Sequence, residues 1–286
     1  MLRRSTIQLL RFHFSLFLMP VYWFALSQIT NINVTNAALI FFILHVLVYP
    51  ASNGYNSYMD RDTGSIGGIA KPLQPTKQLY YTSIVINIVA IILSFLISKI
   101  FAACIALYIL ISVLYSYRKV RLKKYPFLGY GVVIIFQGAF TFYMVKHGAS
   151  MQQPLHVSTL GMFSASLLIG SFYPLTQIYQ HSQDKADGVR TISAVLGYRG
   201  TFIFCSIVLF LSSMALAFYF GLNLELNLFM ISQAIMFPVL IYFLWWMNRV
   251  WKDTTLANYR NTMRMNVVAS ICSNIAFITI LIINQS

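Results

Sequence analysis

The chain has 286 residues, of which 58% are apolar, 16% aromatic and only 9% charged, with 20 Lys and Arg against 6 Asp and Glu. A soluble domain carries roughly a quarter of its residues as charges, so this composition excludes an ordinary soluble fold. The formal charge of +14 is scattered among apolar stretches, with no basic face on a polar domain, which excludes a nucleic-acid-binding protein.

Nine stretches free of Asp, Glu, Lys and Arg follow one another along the chain: 12 to 28, 36 to 58, 79 to 98, 100 to 117, 126 to 145, 157 to 178, 201 to 221, 227 to 247 and 266 to 283. Each is about long enough to cross a bilayer as a helix. The first follows Arg3, Arg4 and Arg11 and has no small-residue cleavage site after it, so it reads as a transmembrane helix and not as a removed leader. The second closes on the polar window YPASNGYNSYMDRDTG (49 to 64), the fourth is followed by the basic run RKVRLKK (118 to 124), and the sixth closes on YPLTQIYQHSQDKADG (173 to 188). Cys104, Cys205 and Cys272 lie singly in apolar stretches, without disulfide or metal-ligand spacing. The expected fold is all-α: one polytopic membrane domain, residues 1 to 286, of nine transmembrane helices.

Charge sets the expected orientation. With the N-terminus cytoplasmic, 18 of the 20 basic residues fall on the inner side and only Lys99 and Lys146 outside. Both acid clusters then face the cytoplasm, the C-terminus lies on the opposite side, and a bacterial inner membrane is the expected location.

Four of the six carboxylates, Asp60, Asp62, Asp184 and Asp187, sit in the two polar windows. Laid over each other at an offset of 124, the windows align without a gap. Tyr49, Pro50, Tyr55, Asp60 and Gly64 meet Tyr173, Pro174, Tyr179, Asp184 and Gly188, and the amides Asn53 and Asn56 meet Gln177 and Gln180. On a helix, Asn53, Asn56 and Asp60 share a stripe about 60° wide, as do Gln177, Gln180 and Asp184. Asp187 stays near its stripe, whereas Asp62 points away if the helix continues that far. Pro50 and Pro174 are expected to bend each helix, and Gly64 and Gly188 to end it.

An oxygen-rich cage without His or Cys suits a hard cation such as Mg²⁺, which is usually held by one or two carboxylates together with substrate phosphates. Asp60, Asp184 and Asp187 are the candidate metal ligands. Lys71, Arg190 and the 118 to 124 run are available to phosphate oxygens, although topology signalling alone also accounts for that run. Tyr55, Tyr58, Tyr115, Phe172, Tyr173 and Tyr179 are the aromatic candidates near the mouth. A diphosphate head with a hydrocarbon tail matches a polar mouth over an apolar bundle.

These windows resemble the UbiA-type superfamily of intramembrane prenyltransferases, which have nine transmembrane helices and two Asp-rich motifs on cytoplasmic loops after helices two and six. The first motif, N-D-x-x-D-x-x-x-D, is matched by Asn56, Ser57, Asp60 and Gly64. The second, D-x-x-x-D followed by G-x-K-T, is matched by Gln180, Asp184, Gly188, Arg190 and Thr191, and AKPLQPTK at 70 to 77 is similar to the basic loop after the first motif. Acids expected at 57, 64 and 180 are replaced by Ser57, Gly64 and Gln180, which implies weaker metal binding: a one-metal site, or a site filled only with substrate present. The resemblance implies Mg²⁺-dependent transfer of a prenyl chain from a polyprenyl diphosphate to a hydrophobic or aromatic, quinone-precursor-like acceptor. Asn56, Asp60, Gln180 and Asp184 are then the catalytic set, with Asn53, Lys71, Gln177 and Arg190 binding substrate. The alternatives are a non-catalytic relative that keeps diphosphate binding, and a multi-pass transporter built on duplicated helices.

Overall fold

The computed structural model describes residues 1–286, and every element of it beyond isolated bridges is helical. In chain order the elements are α1 (Arg4–Phe17), α2 (Met19–Ser27), α3 (Val34–Asp60), α4 (Lys77–Ser94), α5 (Lys99–Ser116) and α6 (Pro126–Ala149). They continue with α7 (Thr159–Gln177), the short α8 (His181–Ala186), α9 (Ile192–Leu222), α10 (Leu226–Lys252) and α11 (Tyr259–Gln285).

Each of the nine apolar stretches has become helical. Seven helices are long and apolar enough to cross a membrane, and an eighth span exists if α1 and α2, bent by 41° at Leu18, form one crossing. The stretch expected to be the sixth crossing forms α7, which is not among them. Its buried positions include Gly161, Ser164, Ser166, Gly170, Ser171 and Gln177, which lower its hydropathy while letting neighbouring helices approach.

The bundle is apolar outside as well as within, as a lipid solvent demands. Val85, Ile88 and Ile92 on α4 are exposed, while Ser83 and Ser94 of the same helix are fully buried. In lipid the apolar side chains gain little by leaving their solvent, so helix association rests on close packing and small polar residues. Around α2, Phe24 stacks on Phe277 at 4.8 Å and meets Phe142 at 4.9 Å. A second cluster joins α9 and α10, where the Phe202 ring meets Trp246 edge-on at 4.9 Å. The α1–α2 bend frees the Leu16 carbonyl, which accepts from Ser270 Oγ at 2.6 Å and from Asn274 Nδ2 at 3.4 Å. Broken backbone at membrane depth needs such partners.

Two π stretches lie inside spans, Phe42–Val48 in α3 and Ile134–Phe140 in α6. Gly138, in the second, approaches α7 so closely that a Cβ would lie 2.5 Å from Ser166 Cα and 2.7 Å from its backbone nitrogen. Backbone cannot yield as a side-chain tip does. Gly138→Ala is therefore expected to destabilise the purified protein by about 1–3 kcal/mol, read as a lowered melting temperature. Gly131→Ala, with nothing within 4 Å, serves as the control and should melt like the parent.

Candidate active site at the paired helix ends

The two prolines of the repeat do not interrupt their helices. Pro50 follows the Phe42–Val48 π stretch, whose wider turns accommodate a residue without an N–H. Pro174 lies within α7 and leaves the Gly170 carbonyl without its helical donor. The Tyr130 hydroxyl donates to that carbonyl at 3.2 Å. Beyond the prolines the copies diverge. The first runs as α-helix to Asp60, where Arg61 takes a left-handed conformation, φ 53°, and its N–H bonds the Ser57 carbonyl at 3.0 Å. Helix termination thus falls to Arg61 and not, as expected, to Gly64. The second copy passes through a 3-10 turn, Ile178–Gln180, into α8, with Gly188 at φ 68° closing it.

Because the first helix stops at Asp60, Asp62 does not point away. It accepts a hydrogen bond from Gln183 of the other copy. Gln180 Nε2 donates to the Ser65 carbonyl at 3.3 Å, so the two windows touch directly at two places. An amide at 180 can make that bond, whereas the acid implied by the resemblance would repel the carbonyl. Gly64 faces the Gln183 side chain so closely that a Cβ there would lie 2.5 Å from Gln183 Oε1. A larger residue at 64 requires the Gln183 side chain to move.

Between the copies lies a cavity of about 210 Å³. Asn53, Asn56 and Asp60 line it from one side; Gln177, Gln180, Asp184 and Asp187 line it from the other. Of the aromatic candidates, Tyr115, Tyr173 and Tyr179 belong to this wall, and the hydroxyls of Tyr115 and Tyr173 bond each other. Tyr55 and Tyr58 instead pack on Tyr80 at 6.0 and 5.1 Å. A more apolar cavity of about 160 Å³ adjoins the first and shares Phe14, Asn53, Tyr108, Gln137 and Tyr173 with it, while Phe172 lines only this one.

Lys71 and Arg190, expected to face phosphate, are exposed and outside the cavity wall. Other cations are present in their place. Arg11, at the break in α1, is buried, lines the cavity, and donates to the Asn53 carbonyl at 3.2 Å and the Gly67 carbonyl at 3.3 Å. Lys123 pairs with Asp60, and Arg121 bridges Asp60, at 3.2 Å, and Asp187. Arg118 adds a longer contact to Asp187 at 3.7 Å.

These contacts split the acids into two kinds. Burial alone would raise Asp187, but its hydrogen bond to Arg121 and the charges of Arg121, Arg118 and Lys123 hold it below the usual carboxylate range. Asp184 has no ion pair or side-chain hydrogen bond; burial pushes it up to about 7, aided by Asp62 and Asp60 against Lys123 and Arg121. Asp62 is likewise raised, by burial and then by the charge of Asp60. A cluster able to charge further only at a cost invites a cation.

The donors are all oxygens, the set a hard cation takes. No three acidic, His or Cys side chains converge closely enough to hold a metal by themselves, so these residues fit an ion completed by amide or phosphate oxygens.

Arg11, Asp62 and Gln183 are site residues that the sequence did not single out, and Arg121 and Lys123 were offered only as part of a basic run available to phosphate. The run at 118 to 124 carried a signal, because it follows a span in a chain whose few acids cluster, yet topology signalling was the favoured account of it. Gln137, a polar residue inside an apolar stretch, carried another. His181 bonds Ser193 Oγ at 2.8 Å and stacks on Tyr198, which gives it a structural partner.

Residues 17–268 match the model of the UbiA prenyltransferase family. Among solved structures, the apo UbiA homolog from Aeropyrum pernix K1 is similar at 14% identity and TM-score 0.70, over 94% of this chain and 98% of that one. A UbiA homolog from Archaeoglobus fulgidus bound to DMAPP and Mg²⁺ is similar at 16% and 0.68, over 98% and 99%. A digeranylgeranylglyceryl phosphate synthase structure is similar at 16% and 0.61, over 99% and 98%. At these identities the structures speak for a common fold. No curated protein sequence matches the chain.

Proposed function

The chain belongs to the UbiA prenyltransferase family, and we propose that it is an integral membrane enzyme that moves a prenyl chain from a polyprenyl diphosphate to an aromatic, quinone-precursor-like acceptor. One observation carries this reading: two related, carboxylate-bearing helix ends face each other across a single oxygen-lined cavity that adjoins an apolar one. Relatives of the same fold bound to DMAPP or to GPP with Mg²⁺ support the substrate class and the cation.

In this reading the diphosphate lies between the copies. Asp184, with Asp187 beside it, holds Mg²⁺, and Gln180 is a neutral oxygen donor. Asp60, expected as a third ligand, is paired with Lys123 and Arg121 and faces the diphosphate with Asn56 from the other side. Asn53 and Gln177 are placed to bind substrate. Bound there, Mg²⁺ neutralises the negative charge that grows on the leaving diphosphate. Lys123 and Arg11, both in the cavity wall, add fixed positive charge beside the same oxygens, and being already in place they need no reorganisation during reaction. The tail enters the adjoining cavity. Tyr115, Tyr173 and Tyr179 present π faces to the allylic cation, and the packed wall excludes the water that would capture it. Lys71 and Arg190, exposed and outside the cavity wall, act on the approach of the diphosphate by charge alone.

The same reading puts the cavity at the cytoplasmic face, with the C-terminus opposite, in a bacterial inner membrane. Ser57, Gly64 and Gln180 favour one other reading, a relative that binds prenyl diphosphate without turning it over. Membranes containing the protein, given labelled geranyl diphosphate, Mg²⁺ and a mixed pool of hydroxybenzoate and naphthoate acceptors, are expected to yield a labelled prenylated aromatic product identified by mass. Saturable binding of the label with no product supports the non-catalytic relative instead.

A further inference from the structure

The run at 118 to 124 occupies a position that the motifs do not require. After α5 the chain turns at Arg121, whose φ of 48° is left-handed, and the next residues form a 3-10 turn, Leu122–Lys124. A non-glycine residue held there costs about 1 kcal/mol or more and persists only where its surroundings fix it. The consequence is that two cations point inward. The Lys123 side chain, 13% exposed, sets its ammonium on one oxygen of Asp60, itself 6% exposed, and 3.5 Å from Asn56 Oδ1. Arg121, 9% exposed, takes the other Asp60 oxygen at 3.2 Å. Both Asp60 oxygens and the Asn56 amide are thus engaged by protein cations, while the Asp184 carboxylate opposite has no partner.

The first copy also lacks the acids that would draw a divalent ion there. Ser57 contributes a buried hydroxyl without a hydrogen-bond partner, and Gly64 contributes nothing. A divalent ion must take oxygens from its surroundings at about 2.0–2.1 Å in near-octahedral order. It cannot do so at Asp60 while an ammonium covers the same oxygens, and like charge opposes the attempt. Asp62, the other carboxylate of that copy, is bonded to Gln183, so a monovalent cation is sufficient compensation for Asp60.

We propose that Lys123 is a built-in cation of the first copy, standing where a divalent ion would otherwise join Asp60 to the diphosphate. The diphosphate is then held by one divalent cation on the Asp184 side and by the Lys123 ammonium on the Asp60 side. Three N–H donors let Lys123 keep Asp60 and Asn56 while giving the third to a phosphate oxygen. This rests on the prenyl diphosphate reading above.

The test counts metal. The purified full chain in nanodiscs is titrated with Mn²⁺ at saturating geranyl S-thiolodiphosphate, a poorly ionising analogue, and bound Mn²⁺ is read by electron paramagnetic resonance. One Mn²⁺ per chain is expected for the parent and for Lys123→Arg. Lys123→Gln should bind the analogue about tenfold or more weakly at saturating Mn²⁺, since a charge-assisted contact is lost. Any count other than one for the parent, or unchanged affinity in a folded Lys123→Gln, overturns the proposal. The parent's count decides it even if that variant fails to fold. Failure of the parent to bind the analogue at any Mn²⁺ concentration overturns the prenyl diphosphate reading itself, and this proposal with it.

Discussion

Asp184→Asn is expected to lower prenyl transfer by at least about a hundredfold, equal to some 2.7 kcal/mol of barrier, without loss of folded protein. The carboxylate lines the cavity with no ion pair or hydrogen bond to lose, and the amide is nearly the same size. Burial already disfavours its charge, so neutralisation costs the ligand-free fold nothing. Asp60→Asn should cost transfer as much but behave differently as a protein. Its removal leaves Lys123 and Arg121 buried without that counter-charge, and a buried cation stripped of its partner is strongly destabilising. Lower yield or melting temperature should therefore accompany Asp60→Asn alone. Asp253, exposed and bonded only to Thr255, supplies the control; Asp253→Asn should retain nearly full transfer. Equal activity in all three variants removes the carboxylates from the chemistry.

Chelation should have the second large effect. Exhaustive EDTA treatment of washed membranes is expected to suppress transfer at least about a hundredfold, and excess Mg²⁺ to restore it. The reason lies in the charges at the cavity. Asp60, Asp62, Asp184 and Asp187 meet a substrate head that is itself an anion, and Asp60 and Asp187 already draw on Arg121 and Lys123. Without a divalent ion the diphosphate faces Asp184 and Asp62 uncompensated. Transfer that persists after chelation contradicts cation-assisted loss of the diphosphate.

Much of this arrangement was legible in the sequence because membrane solvent leaves a strong signature. Long charge-free stretches marked every helix but the short α8, since a lipid-facing segment cannot hide a charge. The repeat pairing Asp60 with Asp184 located the cavity, because identical spacing on parallel helices puts like residues at like depth. Three things were not legible. Arg61 ends α3 in a conformation usually left to glycine, so Asp62 turns inward, and no propensity rule anticipates an arginine there. The 3-10 turn after α7 shows that equal spacing does not ensure equal local geometry. Finally, Lys123 and Arg121 reach Asp60 from 63 and 61 residues away in sequence, and a loop's fold is set by tertiary contacts that periodicity does not record. The same limit applies to Lys71 and Arg190, which lie close to the motifs along the chain yet outside the cavity wall.

The measurement that bears most directly on the shared cavity is a crystal structure of the protein soaked with Mn²⁺ and geranyl S-thiolodiphosphate, with manganese located by its anomalous signal. The expected result is manganese ligated by Asp184 and by the diphosphate, the phosphorus atoms lying between Asp60 and Asp184, and the geranyl chain in the cavity lined by Phe172 and Tyr173. Diphosphate bound outside the space between the two helix ends, or manganese with no contact to either carboxylate, contradicts it.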